Sequence, residues 1–178
     1  MSQPHAPQPA KLVVGIFLQD QQLLPAVVEP LQSAFGDIDM ISAWMGFDFT
    51  DYYASEMGLP LYRRMLVFKP LIPQDALAAI KCRTNEIEGH FTEAGKRRIN
   101  IDPGYMLQER FVLATGKNFT HRIYIGQGIY ADLTLIFQKG EFKTLPWTYP
   151  DYAAAEMRAF LALVRQKYAA DRLAEGKV

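Results

Sequence analysis

The stretch LVVGIFL, from Leu12 to Leu18, is a continuous apolar run with the length of one strand. A run of this kind, without polar alternation, is typical of a strand that is buried on both faces. We therefore predict that it forms a central strand of a sheet. Its expected neighbours are the strands that contain Met65 and Ile99, since an edge position would expose its apolar side chains.

Five further elements follow this strand at readable spacings. Leu24 to Phe35 has helical periodicity and ends before Gly36, and Pro30 should kink or restart that helix. The predicted order is strand, helix, strand, strand, helix, strand: Leu12–Leu18, Leu24–Phe35, Ile38–Phe49, Leu61–Phe68, Pro73–Phe91 and Ile99–Ile101. A Pro103-Gly104 turn is expected to end the sixth element. This order predicts a ferredoxin-like α+β sandwich of βαββαβ type, with both helices on one face of an antiparallel sheet.

The remainder of the chain elaborates that unit with a β-hairpin region and a terminal amphipathic helix. The predicted strands are Phe111–Thr115, Arg122–Ile125, Ile129–Phe137 and Phe142–Leu145, with a hairpin turn at Gln138–Glu141. Asp151 is expected to cap the last helix, whose apolar stripe runs from Met157 to Tyr168. Residues 1–10, rich in Pro, Gln and Ala, are predicted to be a disordered tail, and residues 11–178 a single α+β domain.

Composition excludes several classes of protein. The chain has 19 basic and 19 acidic residues, so no global field favours nucleic acid or an anionic membrane. Its single cysteine, Cys82, rules out an intramolecular disulfide and suits a reducing compartment. The N-terminus lacks the pattern of a signal peptide, and no apolar run approaches the ~18 residues that span a bilayer. We predict a cytoplasmic protein without a membrane partner.

The richest supply of chemically capable side chains lies between Lys96 and Ile125, KRRINIDPGYMLQERFVLATGKNFTHRIYI. Up to Arg122 this stretch carries six basic residues against two acidic ones, and guanidinium groups match phosphate and carboxylate groups. We predict a polar cleft that binds a small anionic ligand. The candidate ligand-binding residues are Arg97, Asn100, Tyr105, Lys117, Asn118, Arg122 and Tyr130, joined from a loop on the opposite side by Asp51, Tyr52 and Glu56.

Acid–base chemistry in this cleft would fall to His121, because its unperturbed pKa lies near neutrality. Asp102 is the second candidate catalytic residue, and either Asp102 or Asp151 can orient the imidazole. Two alternatives remain open at this point. Tyr105, Tyr124 and Tyr130 between basic residues suit base stacking in an RNA-binding module. In a scaffold or interaction protein, the same polar groups would be satisfied structural pairs.

The chain lacks the sequence signatures of several established enzyme classes. Its three histidines, one of them in the tail, cannot form a three-histidine zinc site, so no metal site is predicted, and the sequence does not identify a cofactor. Neither a GxSxG elbow nor a GxGxxG fingerprint occurs. The LATGKN segment has a Gly-Lys pair but lacks the upstream glycine and the following Ser or Thr of a phosphate-binding loop.

Six motifs occur together along the chain: DYYASEMG, TNEIE, INIDPGY, LATGKN, HRIYIGQGIYA and WTYPDY. In this combination the chain resembles a bacterial family described as a domain of unknown function, DUF4416. The resemblance extends from about Lys11 to Tyr152. It implies a family and no activity, so the function has to be argued from the residues themselves.

Overall fold

The structure is a computed structural model that describes residues 3–48 and 54–175 of the chain. Eleven strands and five α-helices are found in these ranges. The strands are β1 (Ala10–Leu18), β2 (Ile38–Ile41), β3 (Met45–Phe47), β4 (Leu61–Ile72), β5 (Thr92–Glu93), β6 (Lys96–Arg97), β7 (Ile99–Met106), β8 (Arg110–Thr115), β9 (Arg122–Gly126), β10 (Ile129–Gln138) and β11 (Glu141–Thr144). The helices are α1 (Leu24–Phe35), α2 (Ala54–Met57), α3 (Leu77–Gly89), α4 (Pro150–Ala153) and α5 (Ala155–Glu175).

A nine-stranded antiparallel sheet dominates this α+β architecture. Its order is β11-β10-β8-β7-β1-β4-β2, with β3 also paired to β4 and β9 to β10. The predicted neighbours of β1 are confirmed, because Gly15 lies opposite both Met65 of β4 and Asp102 of β7. The strands after residue 110 extend this sheet and do not form a second one.

The two faces of β1 pack against different helices, as the two-residue period of a strand requires. Leu12 and its alternate neighbours Val14 and Ile16 share a buried cluster with residues of α1 and α3. Val13 belongs instead to the cluster that contains the predicted stripe of α5, in which Met157, Leu161, Val164 and Tyr168 are buried. The sheet therefore carries α1 and α3 on one face and the terminal helix on the other.

Two local predictions were wrong, and a third was wrong in part: of the kink or restart expected at Pro30, the restart does not occur. Ile38–Phe49 is not one strand, because Ser42 interrupts it: the Ser42 Oγ accepts the Met65 N–H at 3.0 Å. Helix α1 continues through Pro30 without a restart. Asp151 does not cap the last helix, since it lies in the separate short helix α4 and its carboxylate pairs with Arg63.

The predicted Pro103-Gly104 turn is also wrong, because β7 runs from Ile99 to Met106 through both residues. Tertiary pairing overrides the turn signal here: Pro103 lies opposite Val14 and Gly104 opposite Val13 in the central strand. The hairpin turn between β10 and β11 is confirmed, with Lys139 and Gly140 at φ values of 51° and 87°. Residues 3–9 of the predicted tail have no regular secondary structure, although the Pro9 carbonyl accepts a hydrogen bond from the Tyr168 hydroxyl at 2.7 Å.

Candidate functional site

Strands β7 and β8 pair over only part of their length. Their ladder joins Gly104–Met106 to residues 111–113, and towards Ile99 the two strands separate. The main chain of Ile101 turns instead to α3: its N–H donates to Glu88 Oε2 at 2.8 Å and its carbonyl accepts from Lys81 Nζ at 2.8 Å. Two charged side chains of a helix thus replace a neighbouring strand.

Pro103 explains where the ladder stops. Backbone groups two residues apart in a strand point to the same side, so Pro103 faces β8 as Ile101 does. Because proline has no N–H, it cannot contribute the next ladder bond. Gly104 allows the last close approach, since a Cβ there would lie 2.5 Å from the Val112 carbonyl oxygen. The Pro-Gly pair therefore opens a gap in the sheet and does not form a turn.

A cavity of about 720 Å³ occupies this gap and the space between α3 and α4. Charged groups of both signs line it in equal number. The cations are Arg63, Lys81, Arg97 and Lys117, and the carboxylates are Glu88, Asp102, Asp132 and Asp151. The basic excess of the Lys96–Arg122 stretch is thus balanced by acidic residues from α3, β10 and α4.

Arg63 of β4 is the most enclosed of these cations, with 3% of its surface exposed. Its guanidinium lies 5.2 Å from the ring centre of Phe17 and 5.0 Å from that of Tyr152. It pairs with Asp151, and its Nη2 lies 3.7 Å from Asp102 Oδ2. A buried guanidinium needs such partners, since desolvation alone would cost several kcal/mol.

Asp102 connects this arginine to a chain of hydrogen bonds that crosses the cavity wall. Its Oδ2 accepts from Asn100 Nδ2 at 2.8 Å, and its Oδ1 lies 3.6 Å from Lys81 Nζ. Asn100 Oδ1 in turn accepts from Arg97 Nη1 at 3.1 Å. Arg97 also donates two hydrogen bonds of 2.8 Å to Glu56, and this pairing lowers the pKa of the Glu56 carboxyl and raises that of the guanidinium. Four sequence-predicted residues are brought together here.

His121 and Arg122 lie behind the opposite wall. Both contact Asp132 Oδ2, His121 Nε2 at 3.1 Å and Arg122 Nε at 2.9 Å. The imidazole stacks on Trp147 with ring centres 4.8 Å apart. Its carboxylate partner is therefore Asp132, not Asp102 or Asp151, and neither His121 nor Arg122 lines the cavity.

Of the other predicted residues, Lys117 lines the cavity, and Arg122 Nη1 donates to its carbonyl at 2.9 Å. Tyr105 is buried in the core, and Tyr130 contacts the ring of Tyr124 at 5.4 Å. Asn118 is exposed in the loop before β9. Asp51 and Tyr52 lie outside the described residues.

The sequence did not identify several of the buried residues that line the cavity. Arg63 and Asp132 each interrupt an apolar strand run, LYRRMLVF and IYADLTLIF, which is the available signal for a buried polar group. Lys81 and Glu88 lie on the inward face of α3 and carry no local signal. Tyr152 is 2% exposed, and burial raises the pKa of its phenol, so it is neutral at physiological pH.

No helix within residues 3–48 and 54–175 is long and apolar enough to cross a membrane. The same ranges contain no group of three His, Cys, Asp or Glu side chains placed to hold a metal ion.

The comparisons with known proteins identify a family and leave the activity open. The chain belongs to the family described as Domain of unknown function (DUF4416), whose model matches residues 8–168. Neither the curated proteins nor the solved structures contain a match to the chain. The family resemblance predicted from the six motifs is confirmed, and the proposals below rest on the cavity itself.

Proposed function

We propose that the chain binds a small polar molecule bearing a phosphate or carboxylate group in the cavity between β7 and β8. The observation that carries the proposal is the gap in the sheet, because its walls hold several charged side chains that are largely withdrawn from solvent. Its volume of about 720 Å³ lies in the range of small-molecule sites. A purely structural network would gain nothing from remaining open to a cavity of this size.

Lys81 and the chain at Gly116 are the groups best placed to hold the anion. Lys81 donates one hydrogen bond to the Ile101 carbonyl, whereas an ammonium has three donors, and Asp102 Oδ1 is 3.6 Å away. Gly116, the residue after β8, also lines the cavity, next to Lys117. Main-chain N–H groups and an ammonium together suit an anionic oxygen.

A change in melting temperature with added ligand tests this proposal, because a ligand that binds only the folded form stabilises it. The probes are inorganic phosphate, glucose 6-phosphate and gluconate. We expect at least one organic anion to raise the melting temperature, and Lys81→Met to weaken its binding by ~1.5 kcal/mol or more. Lys143→Met, an exposed cation on β11, is the matched control and should bind as the parent does. Absence of any shift, or equal losses in the two variants, would contradict the proposal.

The finer fold assignment belongs to the same proposal. The order β7-β1-β4-β2, with α1 and α3 on one face, supports a ferredoxin-like unit at the core of the larger sheet. We also place the protein in the cytoplasm, which the single cysteine supports. Any acid–base step would fall to Asp102, because it is the candidate catalytic residue that lines the cavity.

A further inference from the structure

Strand β9 leaves one of its two edges unpaired. It pairs with β10, and no other strand within residues 3–48 and 54–175 pairs with it. A free edge presents main-chain N–H and C=O groups to any second strand, so soluble proteins usually protect such an edge with charged side chains or proline. Strand β11, which borders the same side of β10, is protected in this way by the exposed side chains of Glu141 and Lys143.

The edge of β9 lacks this protection. Arg122 is the one charged residue of the strand, and its side chain is only 10% exposed because it turns to Asp132. Three large apolar side chains face solvent on or beside the strand: Phe119 is 61%, Ile123 71% and Tyr124 60% exposed. Successive residues of a strand point to opposite faces, so Ile123 and Tyr124 expose both faces of β9. A further strand alongside β9 would cover both faces at once.

Two copies of β9 match each other when they pair antiparallel about a two-fold axis. One residue must then lie opposite its own copy, because the axis exchanges the two strands and hydrogen-bonded and non-hydrogen-bonded pairs alternate along the ladder. The ladder with β10 shifts register at Ile125, so the regular part of β9 runs from Arg122 to Tyr124. The centre of this regular part is Ile123.

With Ile123 on the axis, each of the three exposed apolar side chains gains a partner. Ile123 meets Ile123 of the second copy on one face. On the other face Tyr124 lies opposite Arg122 of the second copy, whose guanidinium carbon is 5.9 Å from the ring centre of its own Phe119, so Tyr124 comes beside that ring. No charged residue of β9 lies opposite one of the same sign, and the 19 basic and 19 acidic residues of the chain balance, so the two copies do not repel each other.

We propose that the chain forms a symmetric dimer in which β9 pairs antiparallel with β9 of a second copy, with Ile123 on the two-fold axis. The sheet of one copy then continues into the sheet of the other. Phe119, Ile123 and Tyr124 do not line the cavity between β7 and β8, so the dimer is independent of the proposed ligand.

A charge exchange at the axis tests the proposal by sedimentation equilibrium of the full chain, from low micromolar to several hundred micromolar concentration. Ile123→Lys places two like charges opposite each other and should raise the dimer Kd by about tenfold or more, and Ile123→Glu should do the same. An equimolar mixture of the two variants should dimerise again, because an ammonium then faces a carboxylate. Leu163→Lys and Leu163→Glu, at an exposed position of α5, are the matched controls and should dimerise as the parent does.

A disulfide cross-link tests the register in a Cys82→Ser background, which removes the native thiol. Ile123→Cys should give a covalent dimer on mild oxidation, because directly opposed Cα atoms lie about 4.5–5.5 Å apart, within reach of a disulfide. Tyr124→Cys lies two positions from its own copy, beyond the ~7 Å limit of a disulfide, and should not cross-link.

A parent chain that stays monomeric at every concentration would overturn the dimer and leave the β9 edge to an extended segment of another protein. A dimer that Ile123→Lys does not weaken, or that cross-links through Tyr124→Cys and not through Ile123→Cys, would overturn the proposed pairing. Reassociation of the mixed Lys and Glu variants, together with cross-linking through Ile123→Cys, supports it.

Discussion

Two groups of buried charge lie towards opposite ends of β1, and they are built differently. Near its start, Lys11 is fully buried and donates to Asp39 at 3.0 Å, Asp171 at 2.7 Å and the Lys69 carbonyl at 3.0 Å. Near its end, Arg63 lies opposite Phe17 and is 3% exposed. Both groups withdraw a cation from water and pair it with carboxylates.

The difference between them lies in their position relative to the cavity. The three protons of Lys11 meet three acceptors, and neither Lys11 nor its partners line the cavity. Arg63 and its partners Asp102 and Asp151 all line the cavity. Buried charges that contact only one another indicate a structural role, and buried charges grouped around a cavity indicate a ligand.

The largest effects on stability and binding are expected from replacing the two buried cations, Lys11 and Arg63. Arg63→Met leaves the buried Asp151 without this guanidinium, and we expect it to destabilise the fold by ~3 kcal/mol or more. Lys11→Met leaves Asp39 and Asp171 paired with Lys167, so a smaller loss of ~1–3 kcal/mol is expected. Urea unfolding measures this loss. Calorimetry with glucose 6-phosphate at low temperature should show binding retained in Lys11→Met and lost in Arg63→Met. Equal binding in the two variants would remove the distinction between the two groups.

A smaller effect is expected from Glu88, which replaces a strand partner for β7. Glu88→Ala removes the acceptor of the Ile101 N–H and should cost ~1–3 kcal/mol, with faster hydrogen exchange at the Ile101 amide. Glu88→Gln keeps an acceptor and should preserve most of the protection. Glu86→Ala, an exposed site on the same helix, is the control and should stay within ~0.5 kcal/mol of the parent. Unchanged exchange in Glu88→Ala would contradict this account of the gap.

The smallest effect concerns acid pH, at which both groups should weaken. Hydrogen bonding from Arg97 lowers the pKa of the Glu56 carboxyl. Burial raises the pKa of the Asp171 carboxyl, but hydrogen bonds from Lys11 and Lys167 outweigh the effect of burial, so this pKa is lowered as well. A carboxyl with a lowered folded pKa stabilises the fold above its unfolded pKa, and that contribution is lost as pH falls through the folded value. Stability should therefore decline below about pH 5. In urea titrations, Glu56→Gln and Asp171→Asn should each flatten this decline, and an unchanged slope would count against the pairing.

Much of the fold could be predicted where local pattern and tertiary context agree. The run from Leu12 to Leu18 needed burial on both faces, and Gly36 ends α1 with φ at 90°. Pro103-Gly104 shows the limit, because the same pair can form a turn or end a ladder. The partner strands decide between these outcomes, and they are distant in sequence.

The residues of the candidate site could likewise be predicted only in part. Arg97, Asn100 and Asp102 are close in sequence, so their grouping was visible as a polar cluster. The residues that complete the cavity come from β4, α3, β10 and α4, and sequence spacing does not report which of their side chains meet. The sequence identified His121 as a candidate acid or base, but its stacking on Trp147 depends on packing that a linear pattern does not contain.

The central claim is that the gap between β7 and β8 is a ligand site, and a crystal structure grown with saturating glucose 6-phosphate tests it most directly. The account predicts the phosphate between Lys81 and Gly116, with the sugar inside the cavity that Asp102 and Asp151 line. A ligand bound elsewhere, or a cavity that stays without it at saturation, would contradict the claim.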